Sequence, residues 1–268
     1  MRILAYGIVL TWIALAAGPL AWTALLSLRD YVDAFAIPVQ LFAPLTLEHY
    51  RTLWLVSGFS ENALNTALLT FGTVSISLSI GCLAAYALSR TTARIGLLLL
   101  MLALAFRAMP HAALLPSFVS VFEAIGVRGS LPPLMLVLIA VNQPFTIWML
   151  RAFFLSVPRD IDDAALVDGC TRFQAFRHVI LPVMGPGLVT TGLFSFLLAY
   201  NDFLLSSALT NAENMTMPVA IASVIQADSE SLLMQGIAGS MSLTIPLLLL
   251  IAVFQKRIVE GLTQGAVK

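Results

Sequence analysis

Charge is scarce in this sequence. Asp, Glu, Lys and Arg make up 10% of its 268 residues and hydrophobic side chains 59%, whereas soluble domains run near 25% charged. With a mean hydropathy of +0.94, that composition excludes an ordinary soluble globular domain, and lipid is the solvent expected for most of the chain. Fourteen basic residues balance fourteen acidic ones, so no basic surface is available to attract nucleic acid. Two cysteines, Cys82 in an apolar run and Cys170 in a charged loop, exclude a disulfide framework. The three histidines, His49, His111 and His178, fall on separate segments without metal-ligand spacing, so no metal centre is expected. The glycine loop G-x-x-x-x-G-K-[ST] is also missing, which rules out ATP hydrolysis by that chemistry in this chain.

Long apolar runs are what the sequence has instead. A helix needs about 20 largely apolar residues to cross a bilayer, because every backbone group must be satisfied inside the segment. Six runs qualify, at about 3–28, 63–88, 95–118, 132–154, 185–209 and 232–254. They predict an all-α integral membrane protein, one transmembrane domain over 1–268, with both termini on one side and no room for a soluble domain. The first run follows Arg2 but continues for about 26 residues, where the apolar region of a signal peptide has roughly 7–15, so it reads as an uncleaved anchor.

Basic residues set the orientation. Arg2, Arg90, Arg94, Arg151, Arg159, Arg172, Arg177, Lys256, Arg257 and Lys268 lie at the N-terminus, in the second and fourth loops and in the C-terminal tail. The other loops hold Arg29, Arg51 and Arg128. The positive-inside rule therefore puts both termini and the 155–184 loop in the cytoplasm.

Polar groups inside the spans are costly and mark function or packing. Arg107 falls in the third span and Tyr200, Asn201 and Asp202 in the fifth. Each is expected to face the bundle interior or a wet cavity, and Arg107 and Asp202 are candidates for a mutual ion pair. In the fourth span Asn142 and Gln143 precede Pro144, which removes a backbone donor; the trio is either a packed kink or one wall of a cavity. Asn, Asp and Tyr supply the planar hydrogen-bonding groups and aromatic faces that sugars need. His111 reads as a packing or interfacial residue. Met215, Met217 and Pro218 form either ordinary loop packing or an adaptable contact for an outside partner.

The stretch from Pro158 to Pro182 is the exception to the scarcity of charge, holding Arg159, Asp160, Asp162, Asp163, Asp168, Arg172 and Arg177. It reads as two short helices. Asp160 can cap the first, and Gly169 supplies the left-handed residue that ends it. Thr171 can cap the second, on which Phe173, Phe176 and Ile180 form one stripe. Ala164 and Ala165 are small enough to let a partner approach closely.

Asp163-Ala164-Ala165, three residues, Gly169, nine residues and Val179-Ile180-Leu181-Pro182 resemble the EAA loop of ABC-importer permeases. That loop reads E-A-A, three residues, G, nine residues, I, one residue, L-P; here Asp163 stands for Glu and Val179 for Ile. "LTLEHYRTLW", "AYALSR", "LLAYNDFLLSSAL" and the tail "FQKRIVEGLTQGAVK" extend the similarity to the maltose-type carbohydrate permeases, and within them to the partner with the short tail. The resemblance implies a type I importer permease in the bacterial cytoplasmic membrane, a transport subunit and not an enzyme. It implies a second permease as heterodimer partner, a cytoplasmic ATPase dimer carrying the ATP and Mg, and an extracytoplasmic solute-binding protein, with no cofactor on this chain. It also implies that Asp163, Ala164, Ala165, Asp168, Gly169, Arg172, Phe173 and Phe176 meet the ATPase. Gln264, Gly265 and Ala266 would reach its dimer interface, and Tyr200, Asn201, Asp202, Asn142, Gln143 and Arg107 are candidates for the substrate path. A coupled secondary carrier fits less well, since Asp202 is the one mid-span carboxylate. A membrane enzyme would need a His, Asp or Glu cluster at a membrane face, and none is present in the sequence.

Overall fold

In the computed structural model, which describes residues 2–38, 40, 42–109, 111–227 and 229–264, the chain is helical. In chain order the helices are α1 (Arg2–Leu26), α2 (Tyr31–Ala34), α3 (Glu48–Leu55), α4 (Phe59–Arg90), α5 (Ala93–Arg107), α6 (His111–Ala124) and α7 (Leu131–Ser156). They continue with α8 (Asp160–Val167), α9 (Arg172–Gln174), a π-helical segment Ala175–Ile180, α10 (Leu181–Val183), α11 (Gly185–Tyr200), α12 (Leu204–Leu209), α13 (Met217–Ile225) and α14 (Glu230–Gln264). Among the described residues four helices are long and apolar enough to cross a membrane, in α1, α4, α7 and α14. There are six if the bent pairs α5 with α6, and α9–α10 with α11, each count as one span.

Two predicted spans are therefore interrupted. The run 95–118 breaks after Arg107, where α5 and α6 meet at 80°; Pro110 follows in sequence, and proline both lacks a donor and restricts the residue before it. The run 185–209 stops at Tyr200 and resumes at Leu204. Asp202 explains the restart: its Oδ1 accepts hydrogen bonds from the Ser206 backbone N–H at 2.9 Å and its hydroxyl at 3.0 Å, anchoring the first turn of α12. Where helices run uninterrupted, their ends carry the expected signals. Glu61 lies in the first turn of α4 and Arg90 in its last, as the helix dipole favours, and prolines open α7 and α13.

Cα packing resolves two compact units, one from 1–64 with 215–249, the other from 65–214 with 250–268. In the first, Leu53, Phe59, Met217, Ile221 and Ala238 form a buried core. Two polar ties accompany it, Trp54 Nε1 to Ser242 Oγ at 3.1 Å and Ser57 Oγ to Gln235 Oε1 at 3.0 Å. Met217 is thus a core residue, and Asn62 Nδ2 donates to the Met215 carbonyl at 3.0 Å.

The second unit is organised around α7, whose buried face includes Leu134, Leu138, Asn142, Thr146, Leu150 and Phe154. Its centre is tied to both neighbours through hydroxyls. Ser77 on α4 approaches Thr146 Oγ1 at 3.2 Å and donates to Gln143 Oε1 at 3.0 Å, and Thr146 meets Ser195 on α11 at 3.0 Å. Gln143 is therefore an interhelical tie. Such ties need close backbones, which small residues allow. A Cβ on Gly81 would lie 2.7 Å from Thr146 Cγ2, and one on Gly187 would lie 2.7 Å from Phe153 Cγ.

The contact at Gly187 gives a direct test. Gly187→Ala is expected to lower the thermal stability of the detergent-purified protein by about 1–3 kcal/mol through overpacking against the Phe153 ring. Gly185→Ala, on the same helix with nothing within 4 Å, should leave the melting temperature within error of the parent.

Candidate functional site

The charged loop folds as read from sequence, in a helix, a turn and a second helix. Gly169 has φ +87°, and the bonds Cys170 N–H to Ala165 O at 3.0 Å and Gly169 N–H to Leu166 O at 3.1 Å close a Schellman turn. Thr171 opens the second helix with a complete capping box: Gln174 N–H donates to Thr171 Oγ1 at 3.3 Å, and Thr171 N–H donates to Gln174 Oε1 at 2.8 Å. Asp160 does not cap the first helix; Arg159 holds that position and Asp160 lies in the first turn.

The loop has an inner and an outer face. Ala165, Phe176 and Ile180 are buried, while Asp163, Ala164, Asp168, Arg172 and Arg177 are exposed, with Val167 87% and Phe173 62% exposed. Ala165 thus supports the second helix instead of facing a partner. The predicted stripe is also split, since Phe173 points outward while Phe176 and Ile180 point in. The two rings remain neighbours, with centroids 6.5 Å apart, and the π-helical segment that follows Phe173 has Leu181 N–H bonded to Phe176 O five residues back.

Side chains of α4 and α7 that the sequence reading did not connect with the loop hold it to the bundle. Asp162 Oδ2 lies 2.7 Å from Arg90 Nη2, and the Tyr86 hydroxyl donates to Asp162 Oδ1. Arg90 Nη1 also donates to the Phe154 carbonyl at 3.1 Å, joining the end of α4 to the end of α7. Tyr86, Phe154 and Phe176 pack as rings beneath the clamp, with centroids 5.0–6.4 Å apart. Arg159 Nη2 donates to Ser89 O at 3.3 Å, satisfying a carbonyl that the C-terminus of α4 leaves free. The only advance signal was that Arg90 is the last residue of its helix and Asp162 is acidic.

Within the bundle a cavity of about 240 Å³ is lined by Arg107, His111, Leu138, Val141, Asn142, Leu198, Asp202, Leu204 and Leu205. Three of the six path candidates, Arg107, Asn142 and Asp202, meet there, joined by His111. Arg107 and Asp202 are not an ion pair. Arg107 Nη1 donates to the Val141 carbonyl at 3.0 Å and its guanidinium stands 5.3 Å from the Phe145 ring centroid, while Asp202 is held by Ser206. Tyr200 is buried and stacked on Phe196 with centroids 5.1 Å apart, and Asn201 is exposed with its amide on Leu197 O; neither lines this cavity, nor does Gln143. Among the described residues no group of His, Cys, Asp and Glu could hold a metal. Gln264 ends α14, and Gly265 and Ala266 lie outside the described residues.

Residues 77–263 match the family of binding-protein-dependent transport system inner membrane components. The chain belongs to this family. It is a membrane permease, a transport subunit and not an enzyme, located in the inner membrane as part of a system that works with a binding protein. The permease is 36% identical over 93% of its length to the trehalose transport system permease protein SugB of Mycobacterium tuberculosis, 92% of which is covered. It is 33% identical to the diacetylchitobiose uptake system permease protein DasC of Streptomyces coelicolor, with 86% of this chain and 84% of that one covered. Its fold superposes with a TM-score of 0.77, at 21% identity over 95% of both chains, on a chain of the crystal structure of a bacterial ABC transporter involved in the import of the acidic polysaccharide alginate.

The clamp yields a prediction specific to Asp162. Asp162→Ala should cost the purified permease roughly 1.5–3 kcal/mol, the usual scale for a hydrogen bond to a charged group, read as a fall in melting temperature and faster proteolysis within 158–182. Asp163→Ala, on the outer face, should stay within about 0.5 kcal/mol of the parent.

Proposed function

We propose that this permease carries a carbohydrate, forms the translocation path with a second permease, and is driven by a cytoplasmic ATPase dimer docked on the 160–182 loop. The observation that carries the coupling part is the division of the loop into two faces. Asp163, Ala164, Val167, Asp168 and Phe173 form an acidic and apolar outer surface that is exposed among the described residues. The inner face is fixed to α4 and α7 through Asp162, Arg90, Phe154 and Phe176, so a force applied to the outer face passes into the bundle. Gly169 acts as the turn between the two helices and Arg172 as a charged edge of the docking surface. The carbohydrate part is supported by the substrates for which the relatives are named, trehalose and diacetylchitobiose, and by the hydrogen-bonding side chains around the cavity. Substrate arrives from an extracytoplasmic binding protein, and Arg107, Asn142 and Asp202 belong to the path. The tail Gln264, Gly265 and Ala266 is assigned to the ATPase by family resemblance.

The test is co-purification of the tagged permease in mild detergent from cells expressing the neighbouring transport genes. The native chain should bring down an ATPase and a second permease in fixed stoichiometry. Asp163→Arg should lose the ATPase and keep the second permease; a chain that purifies alone and transports without ATP would overturn the reading. Gly169→Val, forced into a left-handed conformation at a strain of roughly 1–3 kcal/mol, should lower ATP-driven sugar uptake while the membrane level of the protein stays unchanged.

A further inference from the structure

A groove of about 400 Å³ lies between α4, the second helix of the charged loop and α11. Leu78, Leu83, Phe176, Leu181 and Leu188 give it apolar walls, and among the described residues Arg177 is the one charged side chain that lines it. Leu83 also belongs to an exposed stripe of α4 with Ile76 and Ile80, at the spacing of a single helix face. In a membrane that stripe meets hydrocarbon, so the groove is continuous with lipid. Leu83 and Leu78 stand seven and twelve residues before Arg90, the last residue of α4; at about 1.5 Å per residue this carries the groove roughly 10–18 Å inward from that end. Arg177 is exposed, and among the described residues it has no ion pair. Asp162, the acid of the loop that turns inward, is taken by Arg90 and Tyr86.

We propose that this groove is a binding site for one anionic phospholipid of the cytoplasmic leaflet, with an acyl chain lying along α4 and the headgroup phosphate on Arg177. The site is independent of what the permease transports. Its chemistry selects a molecule in two parts. An apolar track that ends in a lone guanidinium fits a hydrocarbon tail followed by an anionic head, and a phosphate meets the planar fork of an arginine with two hydrogen bonds. A helix from another protein would have to press a carboxylate against the same apolar walls, where burying a charge is costly. The surrounding field favours the lipid too. The basic residues place this end of α4 at the cytoplasmic face, and anionic lipids give that leaflet the negative surface potential that draws arginines to it. About 400 Å³ falls within the roughly 300–1,000 Å³ of formed ligand pockets, room for a stretch of one chain. The walls include Leu181 before the corner at Met184 and Leu188 after it, so a seated lipid touches both arms of the bend as well as α4.

The experiment uses the assembled transporter in nanodiscs of mixed phosphatidylglycerol and phosphatidylcholine, with the photoreactive p-benzoylphenylalanine in place of Leu83 in this chain. After irradiation the molecules joined to position 83 are identified by mass spectrometry. Phosphatidylglycerol should be captured in excess over phosphatidylcholine, and its capture should saturate as its fraction in the disc rises. Arg177→Gln should lower that capture about fivefold, the usual worth of one basic residue at an anionic surface. Arg94→Gln, which removes another exposed cation that does not line the groove, should leave it unchanged. Leu83 and Arg177 are both exposed, so neither replacement takes away a packed side chain, and Arg177→Ala carries the same comparison should Arg177→Gln fail to assemble. Equal capture of the two lipids, or an equal fall with Arg94→Gln and Arg177→Gln, identifies ordinary annular lipid and overturns the proposal. Capture of a protein chain in place of lipid overturns it as well, and gives the groove to a neighbouring subunit.

Discussion

Helices surrounded by lipid gain nothing from hiding apolar surface against one another, since the tails outside are as apolar as the side chains within. This permease meets that constraint with hydrogen bonds and close approach at the centre of α7. Ser77, Gln143, Thr146 and Ser195 link three helices through buried side chains, and Gly81 and Gly187 bring the backbones near enough for the links to form. The polar cavity lined by Asn142 depends on the same arrangement, because Asn142 and Gln143 adjoin on α7 and divide the work. Gln143 is committed to α4 and Asn142 is left to the cavity.

The loop obeys a related rule at the membrane boundary. The carbonyls at the end of α4 would be unpaired, and arginines from α7 and the loop supply donors to them, Arg151 to Leu88 O at 3.5 Å and Arg159 to Ser89 O at 3.3 Å. Basic residues whose charge is expected to orient the chain are therefore also structural donors. Arg90 joins both uses, pairing with Asp162 while it bonds the end of α7.

Much of this was legible in sequence because its causes are local. Apolar length gives the spans, Gly169 and Thr171 give the turn and cap, and the spaced Asp-Ala-Ala and Gly motif gives the loop. What escaped depends on partners distant in the chain or on small departures from α-helical geometry. A hydropathy window cannot register that the Asp202 carboxylate rebuilds a helix start at Ser206, so 185–209 read as one span. A stripe drawn at α-helical spacing cannot anticipate that Phe173 stays exposed while its neighbour Phe176 is buried. The clamp joins Arg90 to Asp162 across two intervening spans, and nothing in the sequence pairs the two residues. Arg107 and Asp202 were brought to one cavity as expected of intramembrane charges, but each had a nearer partner than the other.

The 77° junction between Arg172–Val183 and α11 has a mechanical consequence. The two segments form a bell crank with a single corner at Met184, which is buried with 2% exposure. At about 1.5 Å per residue the loop arm is roughly 18 Å long and the α11 arm roughly 24 Å. With the corner as fulcrum and the angle kept, each ångström of travel at the loop end moves the far end of α11 by about 1.3 Å, and that far end carries Tyr200 and leads directly into the Asp202 wall of the cavity. Under the proposed coupling, a modest stroke at the loop would be delivered, slightly enlarged and turned through nearly a right angle, to the place where the polar groups gather.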